Sequence, residues 1–391
     1  MTLREIADQL GIEKYPAILD EVYASLPEQS GPVCDVALID SLQAEYELFG
    51  KYYELVREAA EKIEADPVRR AWVRVGQTRS MGQSVTVGRS VPFNYEDDSL
   101  EGRMMPLMVL LPQIPEGIRL YREKGFPEEE VLKRAAAYKG SIATVEFRTG
   151  KPGLNKLYYN WLNLFVRAVI FSVEGLQFEL KEAPKPAAFL RNKETGEGVA
   201  VMNTGTAHRD GHMLGSAGYE DEEGAFQLEF RETEDAYIGH PVVNYLISPE
   251  EKVFPKSRWE CRIRPGDQVL ALHIPKGADI SAERLAKAIE AARTIVREKY
   301  PQFTVNGVHG ASWILCPKLQ AMLGEHSKIT NLQKQFVLYP MTSNGQDVFT
   351  YVFGKKPEKL EDLAEDTSLQ RKLKALYLSG DHIHNYAGVI L

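Results

Sequence analysis

Along residues 1–165, apolar side chains recur at helical spacing. Ile18, Leu19, Val22, Tyr23 and Leu26 share one helical face, and Leu38, Leu42, Tyr46, Phe49 and Val56 share another. A further helix is expected from Pro115 to Gly125. Pro127 and the acidic run Glu128–Glu130 open the next, because proline and carboxylates suit a first helical turn. The aromatic stretch Leu157–Val169, with Trp161 and Phe165, reads as a buried helix leading out of this half.

From Phe171 the period changes to two. Leu176, Phe178 and Leu180 alternate with Gln177 and Glu179, and Phe226, Leu228 and Phe230 alternate with Gln227 and Glu229. Trp259, Cys261 and Ile263 follow the same pattern. These are half-buried strands joined by short turns, hence antiparallel. Pro265-Gly266-Asp267 reads as such a turn, and Lys185–Gly198 and Glu220–Gly224 as charged loops. Val269–Ile274 is a continuous apolar run, which marks a central strand, and Pro275-Lys276-Gly277 ends it. Asp279 and Ser281 offer N-cap side chains to a helix whose apolar stripe is Leu285, Ala288, Ile289, Ala292, Ile295 and Val296. Tyr300-Pro301 ends that helix, and a strand follows at Val308–Leu315. Strand, helix, strand implies a parallel crossover, so the sheet is mixed. Pro317 and Gly324 then bracket a helix, and a second carries Ile329 and Leu332. Strands Phe336–Tyr339 and Val348–Phe353 flank Asn344-Gly345, a hairpin signal, and a last helix runs from Thr367 towards Gly380. The fold class is α+β, with a helical domain at 1–165 and a mixed-sheet domain at 166–391.

Composition narrows the functional classes. The chain has 391 residues, 44% of them hydrophobic, enough for two sizeable cores. A formal net charge of −8 does not attract polyanions, so nucleic acid is not an expected partner. Cys34, Cys261 and Cys316 are odd in number and form no CxxC, which fits buried thiols in a reducing cytoplasm. No apolar h-region follows Thr2 and Glu5, which have capping-box spacing, so no signal peptide is expected. The apolar stretch Met104–Pro112 is broken by prolines and too short to span a bilayer, and no membrane partner is expected. Walker, nucleophile-elbow and Rossmann motifs are absent.

Four strings, in this order, carry a family resemblance: GLQFEL at Gly175–Leu180, LHIPKG at Leu272–Gly277, SWIL-x-P-x-L at Ser312–Leu319 and TSLQR at Thr367–Arg371. Together they resemble bacterial acyltransferase-domain proteins with a helical N-acyltransferase N-terminal domain and a GNAT-like C-terminal domain. The resemblance implies a GNAT-like sheet and an acyl-CoA, acetyl-CoA or longer, as co-substrate. In such sheets the pantetheine arm lies between the two parallel strands, here Val269–Ile274 and Val308–Ile314. The pyrophosphate rests at the crossover helix N-terminus, here Lys276, Gly277, Ala278 and Ser281, and Ser312 can bond a pantetheine amide. The usual glycine-rich phosphate loop is not present: Pro275 lacks an N–H, and Asp279 puts a negative charge beside the turn.

For the chemistry, His273 shares a strand face with Val269 and Ala271 at the strand's C-terminal end, where ligands favour open sheets. A neutral imidazole there can take a proton from an attacking amine, though a histidine that bonds backbone and ends the strand is the plainer reading. Glu179 faces opposite to Phe178 and is a second candidate base, or an outward polar position. Tyr386 is a candidate acid for the thiolate leaving group. His208 and His212, four apart in a glycine-containing loop, lack a third ligand, and His382 and His384 read as a surface strand, so no metal is expected. Two functions stand: an N-acyltransferase acting on a small-molecule or peptide amine, and a GNAT-like binding protein without catalysis.

Overall fold

The computed structural model describes residues 1–27 and 31–391, the side chain of residue 87 excepted. It divides into two compact units, Met1–Phe171 and Ser172–Leu391.

The first unit is helical. Its helices are α1 (Leu3–Gln9), α2 (Ile18–Ala24), α3 (Val36–Tyr46), α4 (Tyr53–Ala65), α5 (Pro67–Ser80), α6 (Val85–Gly88), α7 (Leu100–Leu110), α8 (Ile114–Glu123), α9 (Glu128–Thr149) and α10 (Lys156–Phe165). Local chemistry marks their starts. Thr2 and Glu5 close a capping box, the Asp66 carboxylate accepts from the amides of Val68 and Arg69 ahead of Pro67, and Asn155 accepts from Tyr158. Helix α7 buries Met104, Met105, Leu107, Met108, Val109 and Leu110 and packs on α4 and α5. A helix apolar on all sides belongs at the centre of a bundle. One expectation fails here. The face drawn through Leu38, Leu42, Tyr46, Phe49 and Val56 is broken, because Glu47 adopts a left-handed φ of 50° and a 3₁₀ turn at Gly50–Tyr52 separates α3 from α4.

Strand β1 (Ile170–Val173) spans the boundary, and the second unit carries β2 (Leu176–Glu182), β3 (Ala187–Asn192), β4 (Gly198–Met202), β5 (Thr206–Ala207), β6 (Phe226–Gln227), β7 (Arg231–Glu232), β8 (Ala236–Val243), β9 (Leu246–Ile247), β10 (Lys252–Pro255), β11 (Trp259–Ile263) and β12 (Gln268–His273). After them come the crossover helix α11 (Ala282–Lys299), β13 (Val308–Ser312), α12 (Lys318–Leu323), α13 (Lys328–Gln333), β14 (Val337–Pro340), α14 (Asp347–Tyr351), α15 (Ser368–Leu378) and β15 (Tyr386–Ile390). A mixed sheet has the order β1-β2-β12-β13-β15-β14, and a second, antiparallel sheet is built on β10-β8-β4-β3-β11. The expected parallel pair is present, β12 beside β13, joined through α11. Ser281 caps α11, which buries Leu285, Ala288, Ala292 and Val296. One core joins the two sheets: Val269, Tyr339, Ala387 and Val389 of the mixed sheet cluster with Phe189, Ala200 and Met202 of the second.

Several local expectations are corrected. Lys185–Gly198 is not a loop. Ala187–Asn192 forms a strand buried on both faces, and Asn192 Oδ1 accepts from the amides of Glu194 and Thr195 to turn the chain into β4. Its apolar core is only four residues long, and the charges on either side mask it. The Phe226–Phe230 alternation gives only the two-residue β6, and the strand begun at Val308 stops at Ser312, where a 3₁₀ turn Trp313–Leu315 begins. Asn344-Gly345 does turn, with Gly345 at φ 67°, but Asp347 then opens helix α14, so no hairpin forms. The partner of β14 is instead β15, and β15 starts at Tyr386, past the two histidines assigned to a strand.

The insertion of β15 between β13 and β14 leaves no room at Gly388, where a Cβ would lie 2.5 Å from the Val337 carbonyl oxygen. Gly388→Val should lower stability by about 1–3 kcal/mol in denaturant titration, the range for overpacking. Gly140, in α9, would meet nothing within 4 Å, so Gly140→Ala should raise stability by about 0.5–1 kcal/mol.

Candidate active site at the split between the parallel strands

The parallel ladder between β12 and β13 is short. Leu270 pairs with Val308 and Ala271 with His309, and the ladder stops there. Each strand continues in the company of its outer neighbour: β12 stays with β2 as far as His273↔Gln177, and β13 stays with β15 as far as Ser312↔Tyr386. The mixed sheet therefore splits beyond Ala271 and His309. The split opens at the C-terminal ends of both parallel strands, the place where α/β sheets bind ligands.

Register fixes which side chains face it together. Glu179 opposes Ala271, His273 opposes Gln177, Ala271 opposes His309, and Ala311 opposes Ala387. Cross-strand partners share a face, so Glu179, His273, His309 and Ala311 lie on one side of the sheet. The two sequence candidates meet directly: His273 Nε2 is 2.9 Å from Glu179 Oε2. Glu179 is not an outward polar residue; it is 5% exposed, whereas the His273 side chain is 33% exposed. A buried carboxylate against one ring nitrogen holds the imidazole's tautomer and orientation, and stabilises the ring when it takes a proton.

The sequence reading missed His309, which sits at the apex of the split. It is 3% exposed, and its Nε2 is buried without a hydrogen-bond partner among the described residues. An unmade bond of this kind costs about 1–3 kcal/mol. Burial, then the positive charge of Lys181, pushes the imidazole down to about 3, against the smaller upward pull of Glu179. His309 is therefore neutral at any physiological pH. The alternation GVHGAS around it is visible in the sequence, but only the non-local pairing with β12 gives it a neighbourhood.

The other proposed residues are arranged differently. In the turn after β12, Gly277 has φ 80° and the Ala278 N–H donates to the Pro275 carbonyl. The Ser281 N–H donates to the Asp279 carboxylate, which Lys328 holds as the charged form, below the usual aspartate range. The amides of Ala278 and Ser281 thus serve the turn itself, and Asp279 stands at the helix start. Lys276 and Gly277 lie on the side of the turn next to the strand end. Ser312 accepts from the Ile314 amide and caps the 3₁₀ turn. Tyr386 pairs with Ser312, on the opposite face from His273, and burial raises its pKa well above the ordinary phenol value, so it stays protonated.

Two histidine pairs that looked separate in the sequence come together at the ends of β14 and β15. The His212 ring stacks on Tyr219 at 4.0 Å between centroids, and His384 lies 5.4 Å from His212. His208 Nε2 is 3.0 Å from Asp221 Oδ2, and His384 Nε2 donates to the Ala217 carbonyl at 2.8 Å. His384 is buried rather than on a surface strand. Burial pushes His212 down to about 4 and lowers His384. Among the described residues, no group of three or more histidine, cysteine, aspartate or glutamate side chains is arranged to hold a metal ion.

A mixed sheet split between two parallel strands, joined by one crossover helix, defines a GNAT-like domain. The chain belongs to the GNAT-like C-terminal domain family, whose family model matches residues 170–390. Comparison with curated proteins finds no significant match. Among solved structures, the chain resembles an acyltransferase in complex with decanoyl-CoA, with 18% identity, a TM-score of 0.64 and coverage of 100% of this chain and 99% of that one. It is similar to a mutant acyltransferase in complex with octanoyl-CoA, with 18% identity, a TM-score of 0.63 and the same coverage. A third neighbour is an acyltransferase in complex with decanoyl-CoA and teicoplanin, again with 18% identity and the same coverage, at a TM-score of 0.60. At this identity the likeness speaks for the fold, and it extends over the helical unit as well.

The buried neutral histidines set a pH dependence of stability. In the unfolded chain His309 titrates at its ordinary 6.5, and in the folded chain not until about 3. Between those values the unfolded state binds a proton that the folded state does not. Stability is therefore full above pH 6.5 and falls as pH drops, by up to about 1.4 kcal/mol per pH unit for each such group. Denaturant midpoints at pH 7, 6 and 5 should decline, and His309→Leu should flatten the slope by about one proton; a wild-type midpoint constant over this range would contradict the assignment.

Proposed function

We propose that this protein is an N-acyltransferase that moves an acyl group from an acyl-CoA to the amine of a small-molecule or peptide acceptor. The observation that carries the reading is the split between β12 and β13 with the His273–Glu179 pair on its rim. In this reading the pantetheine arm adds between the two strands, where their own ladder has stopped, and its amides take up strand-like pairing. His273 accepts the amine proton as nitrogen attacks the thioester carbonyl, and Glu179 stabilises the imidazolium. General base catalysis of this kind is worth about 10²–10⁴-fold. The pyrophosphate meets Lys276 and the Gly277 amide rather than the start of α11, where Asp279 already sits.

The neighbouring structures support the donor class. They hold decanoyl-CoA and octanoyl-CoA, and one holds teicoplanin as well. A medium-chain acyl group and an amine on a bulky acceptor are the first combination to test here. The three cysteines are unpaired thiols, which supports a cytoplasmic setting. No helix among the described residues is long and apolar enough to cross a membrane.

One observation favours a second reading, a GNAT-like binding protein without catalysis: the Pro275–Ser281 turn uses two of its amides internally. Calorimetry and turnover separate the two. Decanoyl-CoA should bind and raise the melting temperature, and CoA release should accelerate with a panel of primary amines. His273→Ala should lower kcat about 10²–10³-fold, and Glu179→Gln about 10–10²-fold, with little change in affinity for decanoyl-CoA. Binding without turnover supports the second reading, and no stabilisation by any acyl-CoA at millimolar concentration contradicts both donor and fold-based assignment of the site.

A further inference from the structure

His309 is not accounted for by a base alone. It occupies the last paired position before the sheet splits, opposite Ala271, so it stands at the closed end of the cleft. On that face Ala271 of β12 lies between it and Glu179, the buried Val389 of β15 flanks it on the other side, and Ala311, one step along β13, is exposed. Past the last parallel pair, the small Ala271 and Ala311 alternate with two imidazoles, His273 on β12 and His309 on β13. His273 has its carboxylate at 2.9 Å, whereas His309 Nε2 is buried with no hydrogen-bond partner among the described residues. The titratable groups around His309 are Lys181, Glu179 and His273; burial and Lys181 hold it neutral against the smaller opposite pull of Glu179. A neutral imidazole with one unmade bond, at the end of a cleft, is a preorganised donor that awaits an acceptor atom.

We propose that His309 is a catalytic residue of the acyl transfer, donating its Nε2–H to the thioester carbonyl oxygen and to the oxyanion that oxygen becomes. The inference rests on the acyl-CoA reading above. The amine nitrogen forms a bond to the carbonyl carbon, and the carbonyl π pair moves onto oxygen, where His309 stabilises it. The amine proton passes to His273. The oxyanion pair then returns, the carbon–sulfur bond breaks, and the departing thiolate takes the proton from His273 to give CoA thiol and an amide. No redox partner or metal enters. The two histidines divide the work: one holds the proton, paired with a carboxylate, and the other stays neutral and supplies a hydrogen bond.

The test uses the full chain and decanoyl-CoA labelled with ¹³C at the thioester carbonyl, read by isotope-edited infrared difference spectroscopy. Turnover is followed in parallel with hydroxylamine as the amine. In the wild type the bound carbonyl stretch should fall below its value in free decanoyl-CoA. His309→Leu should bind with similar affinity, lose that shift, and lower kcat about 10²–10³-fold, the usual effect of removing one oxyanion donor. His309→Gln, which keeps an N–H donor, should retain the shift and remain within about tenfold of wild type. His309→Met removes the donor with a more adaptable side chain and replaces the leucine variant if that one melts early. An unchanged stretch and unchanged turnover in a folded leucine or methionine variant overturn the proposal while leaving the acyltransferase reading intact. Failure of the wild type itself to bind decanoyl-CoA overturns that reading, and this inference with it.

Discussion

The functional geometry depends on where β12 and β13 stop pairing. Two parallel pairs hold them together, and each strand then follows its antiparallel neighbour on the outer side. Antiparallel ladders are slightly more stable per residue than parallel ones, so the two halves of the sheet hold together while the parallel seam opens. Everything proposed for the site follows from that seam. It offers the proposed pantetheine path and leaves His309 at the apex, while the β2–β12 ladder brings Glu179 and His273 to its rim.

Electrostatically the site is economical. One buried carboxylate faces one partly exposed imidazole, and a second imidazole is kept neutral by burial and by Lys181. A carboxylate against one imidazole and burial around the other give the two histidines different surroundings, which suits one to proton transfer and the other to hydrogen bonding in the proposed mechanism. The same burial that keeps His309 neutral makes the fold sensitive to acid. In the proposed mechanism, function and pH stability are linked through one side chain.

Much of the architecture was legible in the sequence, because it rests on local signals. The change of period near Phe171, the Val269–Tyr300 strand, turn and helix, the caps at Thr2 and Ser281, and the last helix from Thr367 all appear in the structure. What was not legible depends on pairing between distant segments. Asn344-Gly345 is a sound turn signal, but the partner of β14 comes from Tyr386–Ile390, so no window around the turn could find it. Ala187–Asn192 was hidden because four apolar positions between charges do not stand out from a loop. In the site, His273 and Glu179 were each visible as polar residues on a strand, but their contact was not. His309 drew no notice, since its proposed role comes from standing opposite Ala271 across a crossover of 37 intervening residues, 272–308. The resemblance implied a phosphate cradle at the Pro275–Ser281 turn while its residue types, Pro275 and Asp279, spoke against one, and the structure shows Asp279 taking one of the amides that cradle needs.

The central claim is that an acyl-CoA lies in the seam between β12 and β13. Hydrogen–deuterium exchange with and without saturating decanoyl-CoA tests it most directly, because a ligand paired with strand edges must slow exchange there. The account predicts ligand-dependent protection concentrated at residues 271–277 and 309–313. Protection confined to the second sheet, or to the histidine cluster around Tyr219, with the seam unaffected, would contradict it.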